Sequence, residues 1–346
     1  MEAGTHLRKL LARADAMAML GVLAIQESRQ GSGQTVPRPR ANFAHIIHSL
    51  KRPEEVRTLR RIYGPALVVL GAYSPRPTRL KSLAREIADS RASNQSGDFL
   101  TRAEQLLRKD EQELGQEYGQ NVADTFPLAD IVIETSSRSA MLESVQRAID
   151  LFFGNIFETP NRDEQGMYLA DGAAFRSASL ARQVGAAICR TDGSLVALGT
   201  NEVPKSGGGA YWCNDGNDHR DFRLGYDSSG RMRENVLTEI LGKLQSGGWL
   251  SDSRKSQPIK QLVVEAVRTG QLPSASPPIL KSAQFLGTID YVRAVHAEMA
   301  AITDAARHGI STNGCILYTT TFPCHDCAKH IIAAGISRVV YVKPYR

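Results

Sequence analysis

The residues best equipped for chemistry are His296-Ala297-Glu298 and, further on, Pro323-Cys324-His325-Asp326-Cys327. One imidazole and two thiols are zinc ligands by type, and cysteines three apart in a first helical turn share a face and grip one ion. His325, between the two cysteines, points away from the ion they share, and His330 lies too far along the following helix to close a tetrahedron. Three protein ligands leave the fourth position to water, whose pKa zinc lowers to about 7. Glu298 is then a proton carrier rather than a ligand, a role that suits a carboxyl held near the working pH by a dry pocket. The chemistry implied is metal-assisted hydrolysis. A closed structural zinc site is the alternative, and it lacks its fourth ligand.

His296 and Glu298, two apart, would face different sides of a helix body. They converge only if the site lies off the helix end, ahead of its first turn. The positive ends of two helix dipoles then favour thiolates and bound hydroxide at one point. The pattern predicts a helix over Tyr291–His308 closed by Gly309, a strand over Cys315–Thr321, a helix over Cys324–Ala334 closed by Gly335 and a strand over Arg338–Lys343. Upstream, a helix over Glu164–Arg182 precedes strands at Gln183–Arg190 and Leu195–Asn201, joined by a turn at Asp192-Gly193. From Ser206 to Asp290 the chain carries a long insert, with a helix over Glu234–Gln245 and a loop at Gln271–Pro278 that reads as mobile. Asp215, Asp218, His219 and Asp221 in this insert are metal-capable, but without fixed spacing they read as an ordinary polar loop.

The first half alternates helices with short apolar runs, Ala66–Gly71 and Ala129–Ile133, which predict parallel strands covered on both faces. A helix is expected through Leu7–Gly21, another opening at Pro53-Glu54-Glu55, a long polar one over Phe99–Tyr118, and one with an apolar face of Leu142, Val145, Ile149, Phe152 and Phe153. Arg102, Arg108 and Lys109 on the polar helix read as a solvated face. No G-x-x-x-x-G-K-[ST] phosphate loop is present. Gly154–Asp163 reads as a linker. At 346 residues the chain holds about two domains, and a net charge of +6 suits an anionic ligand but is too diffuse for duplex binding. Five cysteines are too few, and odd in number, for a disulfide framework; Cys189 and Cys315 sit in apolar strand-like runs and read as core. No run reaches the ~18 apolar residues of a membrane span, and Ala16–Ile25 lacks a signal-peptide cleavage site. A cytoplasmic location is expected.

The H-x-E…P-C-x-x-C pattern is the signature of zinc nucleobase deaminases, and the chain resembles the cytidine deaminase superfamily, within it the deoxycytidylate deaminase branch. The likeness extends to Arg176-Ser177, Arg182-Gln183-Val184-Gly185-Ala186, Gly199-Thr200-Asn201-Glu202-Val203-Pro204 and Ile331–Ile336, covering roughly 160–346. The whole chain is similar to bacterial anti-phage dCTP deaminases, in which a kinase-like P-loop domain precedes the deaminase domain. Ile46–Val56, Gly71–Pro75 and Asp124–Asp130 carry that likeness. The fold expected is α/β: a partial P-loop-kinase-like parallel-sheet domain over 1–153 without its phosphate loop, then an α/β/α three-layer zinc deaminase domain over 154–346 with the insert at about 206–290. On this likeness the chain begins partway through the first domain and ends after the fourth of five deaminase strands.

The resemblance implies conversion of dCTP, or of dCMP, to the uracil nucleotide, starving phage replication of cytosine nucleotides. It implies Zn2+ on His296, Cys324 and Cys327, Glu298 as the catalytic acid and base, and substrate contacts from Asn201, Glu202, Ala297 and Phe322. Arg176, Arg182 and Lys205 are phosphate candidates only by nearness. A homo-oligomer covering the exposed sheet edge is expected, as is a regulatory RNA or protein partner. Two other functions compete. One is deamination of a base within RNA or single-stranded DNA, for which an aromatic content of 6% offers little stacking surface. The other is a non-catalytic nucleotide-sensing module.

Overall fold

A computed structural model describes residues 2–29, 42–93, 95–113, 116–180, 182–267, 279–280, 283–287 and 291–343. The chain divides into two compact units, Met1–Thr159 and Pro160–Arg346. The Gly/Ser/Pro-rich segment 30–40 and the loop expected at 271–278 lie outside the described residues.

In the first unit, helices α1 (Glu2–Leu10), α2 (Ala16–Arg29), α3 (Pro53–Tyr63), α4 (Arg76–Ser90), α5 (Leu100–Glu111), α6 (Val122–Thr125) and α7 (Arg138–Phe152) accompany strands β1 (Leu70–Tyr73) and β2 (Ile131–Glu134). The single helix expected through Leu7–Gly21 is broken. Ala12 takes a left-handed conformation (φ 49°), Leu10 and Leu11 are exposed, and Asp15 is drawn off the helix path by Arg13 and by the Thr58 hydroxyl at 2.7 Å. The core here is Ala18, Val22 and Leu59. Beside it, Arg8 donates to Glu55 at 3.0 Å, and Glu55 also accepts from the backbone N–H of Lys51 and Arg52 at the start of α3. Strands β1 and β2 pair in parallel, Leu70 with Ile131 through Tyr73 with Glu134. They are shorter than the apolar runs suggested and are not covered on both faces. Leu70, Tyr73 and Val132 are about half exposed, and only Gly71 and Ile133 are buried. The polar helix stops at Glu111, and the apolar stripe of α7 at Leu142, Ile149 and Phe152 lies exposed.

The second unit is built on one mixed sheet. Strands β3 (Gly185–Cys189), β4 (Leu195–Thr200), β5 (Ile316–Thr321) and β6 (Arg338–Lys343) lie in the order β4-β3-β5-β6. Both neighbours of β3 run antiparallel to it, and β6 is parallel to β5. Alternation along the strands divides the core into two layers. Ala187, Cys189 and Tyr318 face Ala170 of α8 (Arg162–Ala174). Ala186, Ile188 and Leu317 face Ala297 and Ala301 of α13 (Ala297–Arg307) and Cys327 and Ile331 of α14 (His325–Ala333). Three layers result, α/β/α. Cys189 and Cys315 are buried, as their apolar context indicated.

Two glycines set the layer spacing. A Cβ on Gly185 would sit 1.9 Å from the Ala170 carbonyl of α8, and one on Gly199 would sit 2.0 Å from the Ala297 carbonyl of α13. Helix α8 ends at Ala174 rather than Arg182, because the residues beyond it turn back to hydrogen-bond the end of β4: Ser177 Oγ donates to the Asn201 carbonyl at 2.8 Å. The insert contributes α9 (Asp221–Leu224), α10 (Ser228–Ser246), α11 (Asp252–Lys255) and α12 (Ile259–Val267). No helix among the described residues is long and apolar enough to cross a membrane.

Candidate active site

Helix α13 begins at Ala297, not Tyr291, which makes His296 its N-cap; Cys324 is the N-cap of α14. Both ligand-bearing segments therefore sit just ahead of a helix, where the first-turn N–H groups have no intrahelical acceptor and the dipole is positive. Cys324 uses this directly: its sulfur accepts from the Cys327 N–H at 3.4 Å. The extended backbone of His296 (φ −66°, ψ 150°) lets its ring and the Glu298 carboxyl both reach Cys327 Sγ, the convergence that two-residue spacing inside a helix forbids.

His296 Nδ1 lies 3.4 Å from Cys324 Sγ and 3.3 Å from Cys327 Sγ. Zn–N of about 2.1 Å and Zn–S of about 2.3 Å at a tetrahedral angle give an N···S edge of about 3.6 Å, so the three donors fit zinc. Among the described residues this trio is the group that could hold a metal. His325 and His330 are exposed, and His330 Nδ1 is 2.8 Å from the Asp326 carbonyl, so neither supplies a fourth ligand.

Glu298 is 4% exposed, and its Oε2 lies 3.6 Å from Cys327 Sγ. Burial raises its carboxyl above the usual range. Burial also pushes the Cys327 thiol up, and the neighbouring Glu298 adds to the effect. Sulfurs and a carboxyl crowded into one dry cleft favour a cation among them.

The remaining candidates fall in different places. Ala297 is fully buried in the first turn of α13. Phe322 is 42% exposed and meets Tyr341 edge to face at 4.8 Å, two residues before Cys324. Asn201 accepts from the Val184 N–H at 2.7 Å and donates to the Arg182 carbonyl at 2.6 Å, which leaves one N–H and one lone pair of its amide. Both Glu202 oxygens are engaged by the protein itself, by the N–H groups of Ala178 (2.6 Å) and Val203 (2.8 Å), so this carboxylate is committed to the backbone around it.

Of the phosphate candidates, Arg176 stacks on Trp212 (3.7 Å to the ring centroid) and Lys205 pairs with Asp215 at 3.0 Å. The acidic residues of the insert face cations of the protein. Asp218 is held by Arg220 and Arg223, and Asp221 by Arg293. Arg108 and Lys109 of the first unit pair with Glu104, Glu2 and Glu113.

Sequence reasoning missed Arg220 and Arg293: Asp218 is two residues from Arg220, but the contacts of Arg220 with Glu202 and of Arg293 with Asp221 and His219 are remote in the chain and leave no local spacing to find. Gly199 did leave a trace, since a glycine inside an apolar strand marks a close approach.

Residues 160–343 match the family described as the cytidine and deoxycytidylate deaminase zinc-binding region. Among curated proteins, ComE operon protein 2 of Bacillus subtilis (strain 168) is 44% identical over 54 residues, 16% of this chain and 29% of that protein. The deoxycytidylate deaminase of Enterobacteria phage T4 is 49% identical over 51 residues, 15% of this chain and 26% of that protein. The matched stretch thus spans under a third of these relatives' own length. Among solved structures, the dCMP deaminase from the cyanophage S-TIM5 in complex with dCMP and dUMP aligns at 19% identity, covering 55% of this chain and 86% of that one, with a TM-score of 0.29.

Proposed function

The chain belongs to the cytidine and deoxycytidylate deaminase zinc-binding family, and from that premise we propose that it hydrolytically deaminates free deoxycytidine nucleotides, dCTP or dCMP, to deoxyuridine nucleotides. The observation that carries the proposal is the meeting of His296, Cys324 and Cys327 with the buried Glu298 carboxyl at two helix N-termini. His296, Cys324 and Cys327 would hold the zinc. When bound, the zinc activates a water molecule at neutral pH and polarises the reacting centre.

The protein's own groups do the rest. Glu298 takes the proton released by the attacking water and gives it to the ring nitrogen beside the amine-bearing carbon. It then carries a second proton to the amine, which leaves as ammonia while the carbon gains a carbonyl oxygen. A carboxyl raised by burial is suited to both directions of transfer. Ala297 and Phe322 are assigned to the base, and the remaining N–H and lone pair of Asn201 to the sugar.

The likeness of Ile46–Val56, Gly71–Pro75 and Asp124–Asp130 to the first domain of anti-phage dCTP deaminases supports three finer readings. The substrate includes dCTP as well as dCMP, the first unit is kinase-like without a phosphate loop, and the role is depletion of the cytoplasmic cytosine nucleotide pool. Among the described residues β6 pairs with β5 alone, and that edge supports a homo-oligomer.

The test is incubation of zinc-loaded protein with dCTP and dCMP, with uracil nucleotide and ammonia as readouts. Glu298→Gln should keep the metal and lose about 10²–10⁴-fold in kcat. Absence of turnover with both nucleotides, or equal turnover by Glu298→Gln, would defeat the proposal. Binding without turnover would make the site a sensor.

A further inference from the structure

Joined by a backbone bridge to the residue before His296 lies a cluster of charges for which the reaction has no use. The side chains of Glu202, Arg220 and Asp218 are 3%, 6% and 5% exposed. Arg220 reaches Asp218 through two nitrogens, at 2.6 and 2.9 Å, and stands 3.9 Å from Glu202 Oε2. Arg223 closes on Asp218 from the surface at 3.4 Å. Burying such ions is costly, and a satisfied network adds little net stability, so its value lies in the one arrangement it permits. That arrangement bears on the site. The backbone of Glu202 forms an antiparallel bridge to Val295, with N–H to carbonyl distances of 3.2 and 3.0 Å, and Val295 immediately precedes His296. On the other side of Val295, Arg293 donates to Asp221 at 2.6 Å and to the His219 carbonyl at 2.9 Å.

We propose that Glu202 is a positioning residue for the metal ligand His296, and that the insert, through Arg220 and Arg293, braces the strand end that carries this imidazole. The Glu202 carboxylate ties its own backbone to Ala178 and Val203. The fixed backbone of Glu202 then holds Val295. Arg220 fastens Glu202 to the insert, and Arg293 fastens the same insert segment to the approach to His296. The insert is thus part of the metal site's support. Groups that orient a metal ligand typically govern metal affinity by about 10–100-fold.

The inference rests on the zinc reading of the site, and its readout is metal binding, which does not require turnover of any nucleotide. Glu202→Gln, Arg220→Met and Arg293→Met are compared with wild type and with Glu239→Gln, a control in an exposed pair of the same insert. Zinc affinity is measured by chelator competition. The cobalt-substituted proteins are recorded for ligand-field and thiolate charge-transfer bands, and kcat and KM are separated.

Glu202→Gln keeps the shape but places an amide N–H against a backbone N–H. It should lose about tenfold or more in zinc affinity, alter the cobalt spectrum and lower kcat with little change in KM. Arg220→Met should follow in the same direction. Folded Glu202→Gln with wild-type affinity and spectrum overturns the proposal, and a raised KM alone would make Glu202 a substrate contact. Should Glu202→Gln fail to fold, Arg293→Met carries the test, and wild-type affinity and spectrum there overturn it equally. If wild type binds zinc but deaminates neither nucleotide, the function proposed above falls and this inference stands.

Discussion

Replacing Gly199 by alanine should damage the metal site without touching any residue that performs the chemistry. The added Cβ would lie 2.0 Å from the Ala297 carbonyl oxygen and 2.5 Å from the Ala301 N–H nitrogen. Both are backbone atoms, so no side chain can swing aside. Restoring an ordinary contact of 3.4 Å needs β4 and the first turn of α13 to part by about 1.4 Å, in an interior too densely packed to absorb it. Overpacking of this kind costs about 1–3 kcal/mol. Ala297 lies between His296 and Glu298, so the displacement enters the site directly, and a misplacement of about 1 Å is worth about 10²-fold in rate. The companion variant is Gly185→Ala, whose Cβ would lie 1.9 Å from the Ala170 carbonyl on the opposite face of the sheet. It should lose comparable stability and spare the site. Thermal denaturation, chelator competition for zinc and kcat are measured on both. If Gly199→Ala loses no more activity and zinc affinity than Gly185→Ala does, the glycine is a packing residue only and the reasoning fails.

Two further outcomes concern stability. Arg8→Met should cost the first unit about 3–5 kcal/mol, because it strands the buried Glu55 carboxylate, whereas Arg8→Met with Glu55→Gln, which removes the charge and keeps an oxygen for the Lys51 and Arg52 N–H groups, should recover part of that loss. Equal destabilisation by the single and double variants in urea unfolding would contradict this. The hydrogen bonds from Arg338 to Asp163, helped by that from the Tyr318 hydroxyl, hold the Asp163 carboxyl below its usual range. A depressed carboxyl contributes stability that is present above its unfolded pKa, about 3.9, and is lost as pH falls through the lower folded value. Asp163→Asn should therefore destabilise the protein at neutral pH, by under about 1 kcal/mol given how exposed the pair is. The difference from wild type should vanish at strongly acidic pH, and a difference unchanged from neutral pH to pH 2 would exclude the linkage.

The fold was legible where the signal is local. Asp192-Gly193 marked the β3–β4 turn, with Gly193 at φ 95°, and Gly309 and Gly335 marked two helix ends, each at positive φ. The errors arose where distant contacts outweigh periodicity. Leu7–Gly21 has helical spacing throughout, yet Asp15 is taken up by Thr58 of α3 and the helix breaks. Glu164–Arg182 reads as one helix, yet Ser177 and Ala178 are taken up by Asn201 and Glu202. Ala66–Gly71 reads as a strand buried on two sides, yet Leu70 is half exposed. Apolar composition records the capacity to be covered and says nothing of whether a cover is present.

The site follows the same division. Its metal-capable trio was legible because the residues lie at helix starts, where a short motif sets both the chemistry and the backbone that presents it: His296 as the N-cap of α13, Cys324 as the N-cap of α14. Two short segments therefore suffice to specify the donors. They do not specify the distance between the two helix starts, on which an N···S separation of 3.3 Å depends. That distance is set by Gly199 under α13, by the Glu202–Val295 bridge and by charges fastened from the insert. None of these has a spacing rule. A motif of this kind can therefore persist in a chain whose site no longer closes, and metal affinity, more than the presence of the motif, reports whether the supports are in place.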